Sequence, residues 1–164
     1  MKKLVITSDS HGSASALCRI LAKEQDADGL IFLGDGLAGL EQLRRQYPAL
    51  PVYAVAGNCD YGSDAPEEGL LTCEGVRFFY THGHHYNVKY GLLTITLAAA
   101  QREADAVLFG HTHLPELDSF NGVTLFNPGS VGRPVNGRAT YGVALVENGT
   151  VKFEHREVPP LWED

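Results

Sequence analysis

Five times between residues 4 and 113, a short and largely apolar run stops at a polar cluster carrying Asp, Asn or His. Leu4-Val5-Ile6-Thr7 runs into Ser8-Asp9-Ser10-His11-Gly12, and Leu30-Ile31-Phe32-Leu33 into Gly34-Asp35-Gly36. Val52-Tyr53-Ala54-Val55 leads to Gly57-Asn58-Cys59-Asp60, and Val76 to Tyr80 leads to Thr81-His82-Gly83-His84. Ala106 to Phe109 ends at Gly110-His111-Thr112-His113. Such unalternating runs fit strands covered on both faces. Between the first three of them the spacing turns helical. Ala16, Leu17, Ile20 and Leu21 share one face behind a cap at Ser13 or Ser15, and Leu37, Leu40 and Leu43 end at the basic pair Arg44-Arg45. Parallel strands joined by crossover helices follow from that alternation. Each cluster then lies just past the C-terminal end of a strand, the edge where open α/β sheets build their sites.

The second half is richer in strands. Leu92 to Gln101 reads as a helix. Glu116 to Phe120 and Val123 to Phe126 flank Asn121-Gly122, a strong two-residue hairpin signal. Tyr141 to Val146 and Val151 to His155 flank a second turn at Glu147-Asn148-Gly149-Thr150. The resulting expectation is an α/β domain over residues 1–164, with two sheets packed together and helices outside. The C-terminal Pro159-Pro160-Leu161-Trp162 carries the only Trp and is expected to pack on its own domain.

With 44% hydrophobic and 20% charged residues, the chain has too much apolar content for disorder. Cys18, Cys59 and Cys73 form no C-x-x-C and cannot all pair, so a disulfide scaffold is excluded and a reducing, cytoplasmic setting is expected. The apolar start stops at Thr7-Ser8-Asp9, short of a signal-peptide core, and no run approaches a membrane span. A net charge of −7 argues against a surface that coats nucleic acid, and no basic groove with interleaved aromatics is visible.

Six of the seven histidines, His11, His82, His84, His85, His111 and His113, fall in or beside the strand-end clusters. Asp9-x-His11 and His111-x-His113 would each place two donors on one side of an extended segment. Asp35 and Asn58 each follow a glycine that lets the chain turn sharply. Together they offer carboxylates, an amide oxygen and at least four imidazoles without a thiolate requirement. That mixed set suits manganese, iron, zinc, nickel or cobalt rather than a cysteine-based structural zinc. One such fragment would be an ordinary turn or a hydrogen-bonded histidine; five in order at successive strand ends point to a metal site.

The order Asp9-x-His11, Gly34-Asp35, Gly57-Asn58, His82, Gly110-His111-x-His113 resembles the calcineurin-like metallophosphoesterase superfamily. The short length and Gly57-Asn58-Cys59-Asp60 resemble its small bacterial and archaeal phosphodiesterases of the YfcE/MJ0936 type. Asn127-Pro128-Gly129-Ser130-Val131-Gly132 resembles the loop that follows their last ligand. The resemblance implies a four-layer αββα sandwich, two mixed sheets flanked by helices, holding two divalent metal ions. Manganese is the first expectation, with zinc, iron, nickel and cobalt as alternatives. One ion would take Asp9, His11, Asp35 and His113, and the other Asn58, His82, His111 and the shared Asp35. With both carboxylates and one hydroxide counted, about one positive charge remains to attract a phosphodiester.

Beyond the ligands, Asn58, Cys59 and His84 are the catalytic candidates. His84 would reach the site if the backbone past His82 stays extended, with His85 facing away. Arg133, in a glycine-rich loop, is placed to contact phosphate. Many superfamily members carry Gly-Asn-His-Asp or Gly-Asn-His-Glu where this chain has Gly57-Asn58-Cys59-Asp60. That His is thought to protonate the leaving alcohol or stabilise the transition state. Cys59 is a weaker proton donor, and a thiolate beside metals would bind them instead. Asp60 is expected to orient the loop or a neighbouring His. The leading reading is a metal-dependent phosphodiesterase acting on a small, possibly nucleotide-like, phosphodiester. Alternatives are a phosphomonoesterase and a non-catalytic protein-interaction scaffold like the retromer subunit Vps29. A homo-oligomer is left open.

Overall fold

The computed structural model describes residues 1–161. Strand β1 (Lys2–Thr7) leads to helix α1 (Ala14–Lys23), β2 (Gly29–Phe32), helix α2 (Leu40–Gln46) and β3 (Val52–Ala54). A second set follows: β4 (Glu68–Cys73), β5 (Val76–Thr81), helix α3 (Leu93–Gln101), β6 (Ala106–Leu108), β7 (Pro115–Phe120) and β8 (Val123–Pro128). The chain returns through β9 (Thr140–Glu147) and β10 (Thr150–Glu157) to the first sheet, whose order is β10-β9-β1-β2-β3. The second sheet runs β4-β5-β6-β8-β7. Each sheet has a parallel run, β1-β2-β3 in one and β5-β6-β8 in the other; antiparallel strands flank it on one side in the first sheet, β9 and β10, and on both sides in the second, β4 and β7.

Alternation along the strands builds four layers. Leu4 and Ile6 of β1 face Phe78, Tyr80, Leu108 and Phe126 across the space between the sheets. Val5, Leu30 and Phe32 turn the other way, onto Leu17, Ile20, Leu21, Leu40 and Leu43 of α1 and α2. Phe79, Val107 and Leu125 of the second sheet pack beneath Ile95, Ala98 and Ala99 of α3. Both faces of both sheets are covered, which is why the central strands read as unbroken apolar runs. The expected αββα sandwich is the one observed. No helix among the described residues is long and apolar enough to cross a membrane.

Ser13 caps α1, accepting from the Ala16 N–H at 3.4 Å. The helix read over Leu37 to Leu43 begins as a 3-10 turn, Leu37–Gly39, before α2. Asn121-Gly122 and Asn148-Gly149 both adopt positive φ, so each hairpin closes through two residues, as strand twist requires. The second turn is therefore tighter than the four residues expected. A third hairpin, β4 to β5 through Glu74-Gly75, was not foreseen. Its Glu-Gly turn is a weaker cue than Asn-Gly, and β4 carries Gly69 where the ring of Tyr80 needs the space. The segment after β10 is tied to α1, since Arg19 Nε donates to Pro159 O at 2.8 Å. Trp162 lies outside the described residues.

At the C-terminal cap of α1, the Glu24 carboxylate is 2% exposed. It accepts from Lys3 Nζ at 2.5 Å, Arg156 Nη1 at 2.6 Å and Tyr141 Oη at 2.7 Å. Burial pushes this carboxyl up, but the bonds from Lys3, Tyr141 and Arg156 outweigh it and bring it from 4.5 down to about 2. A depressed pKa contributes stability that is complete above the unfolded value and is lost as pH falls toward the folded one. Wild type is therefore expected to lose more melting temperature between about pH 5 and pH 2.5 than Glu24→Gln. Parallel acid-dependence in thermal melts of the two proteins would contradict that reading of the network.

Candidate metal centre

All five clusters meet at the edge where the parallel strands of both sheets end. Asp9 and His11 follow β1, Asp35 follows β2, Asn58 and Cys59 follow β3, His82 follows β5, and His111 and His113 follow β6. Their donor atoms fall into overlapping groups: Asp9 with His11 and His113, Asp35 with His82 and His111, and His11 with Asp35 and Cys59. Within each group the donor atoms lie within 4.8 Å of one another. Asp35 belongs to two of the groups and so sits between the halves of the site.

In the first half, His113 Nε2 stands 3.2 Å from Asp9 Oδ1 and 3.5 Å from His11 Nε2. In the second, His82 Nε2 stands 2.9 Å from Asn58 Oδ1, 3.1 Å from His111 Nδ1 and 3.3 Å from Asp35 Oδ2. All seven residues expected as ligands are thus brought together. Asp9, Asp35 and His82 form a buried floor, while Asn58 and Cys59 lie at an exposed rim.

Two ring orientations are fixed from behind. His82 Nδ1 is 2.7 Å from Leu33 O, and His113 Nδ1 is 2.6 Å from Arg133 O. A carbonyl oxygen only accepts, so Nδ1 carries the proton in each ring and Nε2 is turned to the site. The Asp9 carboxylate is divided in the same sense. Its Oδ2 accepts from Ser8 Oγ at 2.5 Å and from the His111 N–H at 3.1 Å, whereas its fully buried Oδ1 has no hydrogen-bond donor. A buried, unsatisfied carboxylate oxygen facing imidazole nitrogens is costly unless a cation completes it. The residues therefore fit a divalent ion.

Electrostatics keeps most of the donors competent. Burial, and then His82, push His111 down to about 4, so it is neutral near pH 7 as a ligand must be. Burial also lowers His11. His113 is raised, chiefly by the Asp9 carboxylate 3.2 Å from its Nε2, and His82 is raised because Asp35 and Asp9 outweigh its burial. Asp35 is held well below the usual carboxylate range, since bonds from His82 and the Cys59 N–H overcome its burial.

The backbone differs from the extended arrangement expected for the two His-x motifs. Asp9, His11, Asp35, His111 and His113 all have positive φ, between 47° and 69°. Left-handed non-glycine residues are strained and persist where surroundings enforce them. Here the enforcement comes from His11 N–H to Asp35 O at 2.8 Å, Asp9 N–H to Gly34 O at 2.9 Å and Gly110 N–H to His82 O at 2.9 Å. Gly57 lets the chain pass Asp35 closely: a Cβ there would overlap Asp35 Oδ1.

His84 reaches the site by another route than expected. Gly83 has φ +108° and His84–Tyr86 form a 3-10 turn, so the backbone does not stay extended. The His84 ring nevertheless lies 5.3 Å from that of His82, and its buried Nδ1 has no partner. His85 stays outside the donor groups. It packs on His84 with ring centroids 3.9 Å apart, and its Nε2 is 3.1 Å from Glu67 Oε2. Asp60 orients loops rather than a histidine: it accepts the N–H groups of Asp35, Gly57, Gly36 and Leu37 at 2.7 to 3.0 Å.

Three supporting residues escaped the sequence reading. Besides Ser8, Ser130 Oγ donates to Asp9 O at 2.8 Å. Buried Asn127 Nδ2 donates to Gly110 O at 3.2 Å and Thr112 Oγ1 at 3.0 Å, bracing the turn between His111 and His113. Asn127 and Ser130 belong to the Asn-Pro-Gly-Ser segment, whose composition marked only a loop.

Carboxylate, amide and imidazole donors gathered at the paired strand ends of a double-sheet sandwich define a candidate metal centre. Residues 1–149 match the calcineurin-like phosphoesterase superfamily domain, and the chain belongs to that family. It is 36% identical over 155 residues to a probable metallophosphoesterase, YsnB of Bacillus subtilis, covering 92% of this chain and 89% of that one. It is 34% identical over 168 residues to the phosphodiesterase YfcE of Escherichia coli, covering 87% of each. Vacuolar protein sorting 29 of Cryptosporidium parvum superposes with a TM-score of 0.75 at 17% identity, over 95% of this chain and 97% of that one. At that identity the likeness is one of fold. Family membership implies divalent metal ions, for which the Asp and His groups supply the donors.

Proposed function

We propose that the protein hydrolyses small phosphodiesters with the help of two divalent metal ions, manganese before zinc, iron, nickel or cobalt. One ion would be held by Asp9, His11, Asp35 and His113, the other by Asp35, Asn58, His82 and His111. The observation that carries this reading is the convergence of those seven side chains at one edge, with Asp35 grouped both with His82 and His111 and with His11 and Cys59. When bound, the pair supplies an activated water near neutral pH and positive charge for the phosphoryl oxygens.

The chain's own residues do the rest. Leu33 and Arg133 carbonyls hold His82 and His113 in the tautomer that offers Nε2. Asn58 contributes an oxygen without charge, which keeps the site attractive to an anion despite the net charge of −7. His84, whose ring lies 5.3 Å from that of His82 and 6.1 Å from that of His111, would donate to a phosphoryl or leaving oxygen. Arg133 branches from a backbone anchored to Ser130 Oγ and His113 Nδ1, so its side chain starts beside the site.

Hydrolysis of bis-p-nitrophenyl phosphate with Mn²⁺, set against p-nitrophenyl phosphate, tests the reading. A faster diester reaction is expected. A faster monoester reaction would make the protein a phosphomonoesterase, and no hydrolysis of either by metal-loaded protein would favour a Vps29-like scaffold. The scaffold reading has the fold likeness in its favour, and the complete donor set weighs against it.

Cys59 stands where a histidine would serve as acid or transition-state donor. General acid catalysis contributes about 10²–10⁴-fold, and matters most when the leaving group is poor. Cys59→His is therefore expected to raise turnover of an alkyl ester roughly tenfold or more, and of a p-nitrophenyl ester far less. Equal gains on both would remove Cys59 from leaving-group chemistry.

A further inference from the structure

The Cys59 sulfur is the one soft donor at this centre. It lies with His11 and Asp35 in a group whose donor atoms are within 4.8 Å of one another. The Cys59 N–H donates to Asp35 Oδ1 at 2.8 Å, which fixes the residue against the carboxylate shared by both halves of the site. A second observation marks the same place as a cation position: the buried, donorless Asp9 Oδ1 is 3.9 Å from Nε2 of His11, the residue common to both groups. Cys59 itself is exposed, so its sulfur is open to an ion at the rim.

We propose that Cys59 is a conditional metal ligand, left free by a hard ion such as Mn²⁺ and joined through Sγ to a softer one such as Co²⁺ or Zn²⁺ at the His11–Asp35 position. The inference rests on the metal reading above and adds a selectivity device to it. Thiolate sulfur has little affinity for manganese and much for cobalt and zinc. On ligation the sulfur-to-metal bond replaces the S–H bond, and the proton leaves to solvent, so no oxidant or co-reactant is needed. Ligation draws the Gly57-to-Asp60 turn onto the site and fills a position that a substrate oxygen would otherwise take. The softer ions are then held tightly in a less active form. The two roles given to Cys59 are separable by metal, since the sulfur is free of the ion in the manganese protein.

Titration of the full-length protein with Co²⁺ tests this, with bound cobalt counted by equilibrium dialysis. A near-ultraviolet sulfur-to-cobalt charge-transfer band is expected in wild type, Cys18→Ser and Cys73→Ser, and absent from Cys59→Ser that still binds cobalt. Zn²⁺ should bind Cys59→Ser about tenfold or more weakly than wild type. Cobalt bound without the band, or a band that survives Cys59→Ser, overturns the proposal and leaves the metal reading standing. Failure of wild type to bind cobalt, manganese or zinc overturns both. Should Cys59→Ser fail to fold, alkylation of wild type decides. Cys59 modified by iodoacetamide about tenfold more slowly with Zn²⁺ than with Mn²⁺ supports ligation, and equal labelling overturns it.

Discussion

Asp35→Asn is expected to lower phosphodiester hydrolysis by about a thousandfold or more while leaving the fold intact, an effect of several kcal/mol on the transition state. Asp35 is the side chain common to the His82–His111 and His11–Cys59 groups, so its charge serves both halves of the centre. The substitution keeps the shape and one oxygen but removes that charge. Its surroundings are rigid: the His11 N–H donates to Asp35 O, and the Asp35 N–H donates to Asp60. Collapse of the loop is therefore not the expected route to inactivity. Circular dichroism and metal counting separate the causes. A native spectrum with less than two metals per chain is expected; full metal loading with full activity would remove Asp35 from the bridging position.

Asp60→Ala should show the largest loss of stability among substitutions near the site. One carboxylate accepts four backbone N–H groups from two separate loops, those of Asp35, Gly36 and Leu37 and that of Gly57. Bonds to a charged acceptor are individually worth more than neutral ones, but these amides are partly exposed and water replaces some of the loss. A net cost of about 3 kcal/mol is reasonable, equivalent to a fall of roughly 6–12 °C in Tm for a chain this size. Because both loops carry donors of the centre, metal affinity should drop about 10–100-fold as well. Asp60→Asn, which keeps a single acceptor oxygen, should fall between wild type and the alanine variant. An unchanged Tm in Asp60→Ala would mean the two loops are held by something other than that carboxylate.

Much of this was legible from residues alone, for a physical reason. Strands buried on both faces cannot carry ionisable groups, so Asp9, Asp35, His82 and His111 could appear only where the apolar runs end. Parallel topology then brought those ends to one edge. The seven donors and the helices covering the outer faces followed from that pattern and from the family resemblance. What stayed hidden depended on backbone turns with no strong compositional mark. The positive φ of Asp9, His11, His111 and His113 is imposed by hydrogen bonds between loops distant in sequence. The same holds for His84, which a left-handed Gly83 and a 3-10 turn carry to the site. Strand β4 went unread because its partner supplies its order: it is an edge strand, antiparallel to β5, with Gly69 under Tyr80 in place of an apolar side chain. Asn127 and Ser130 act on the turns that hold the donors, and residues of that kind have no signature until the turns are seen.

The most direct measurement is the metal content of protein purified without chelator, taken with bis-p-nitrophenyl phosphate hydrolysis before and after Mn²⁺ is restored. Two metals per chain, activity that disappears on chelation, and its return with Mn²⁺ are expected. Protein that binds no divalent metal, or that hydrolyses the diester equally well once stripped of it, would contradict the assignment of the strand-end residues to a two-metal phosphodiesterase centre.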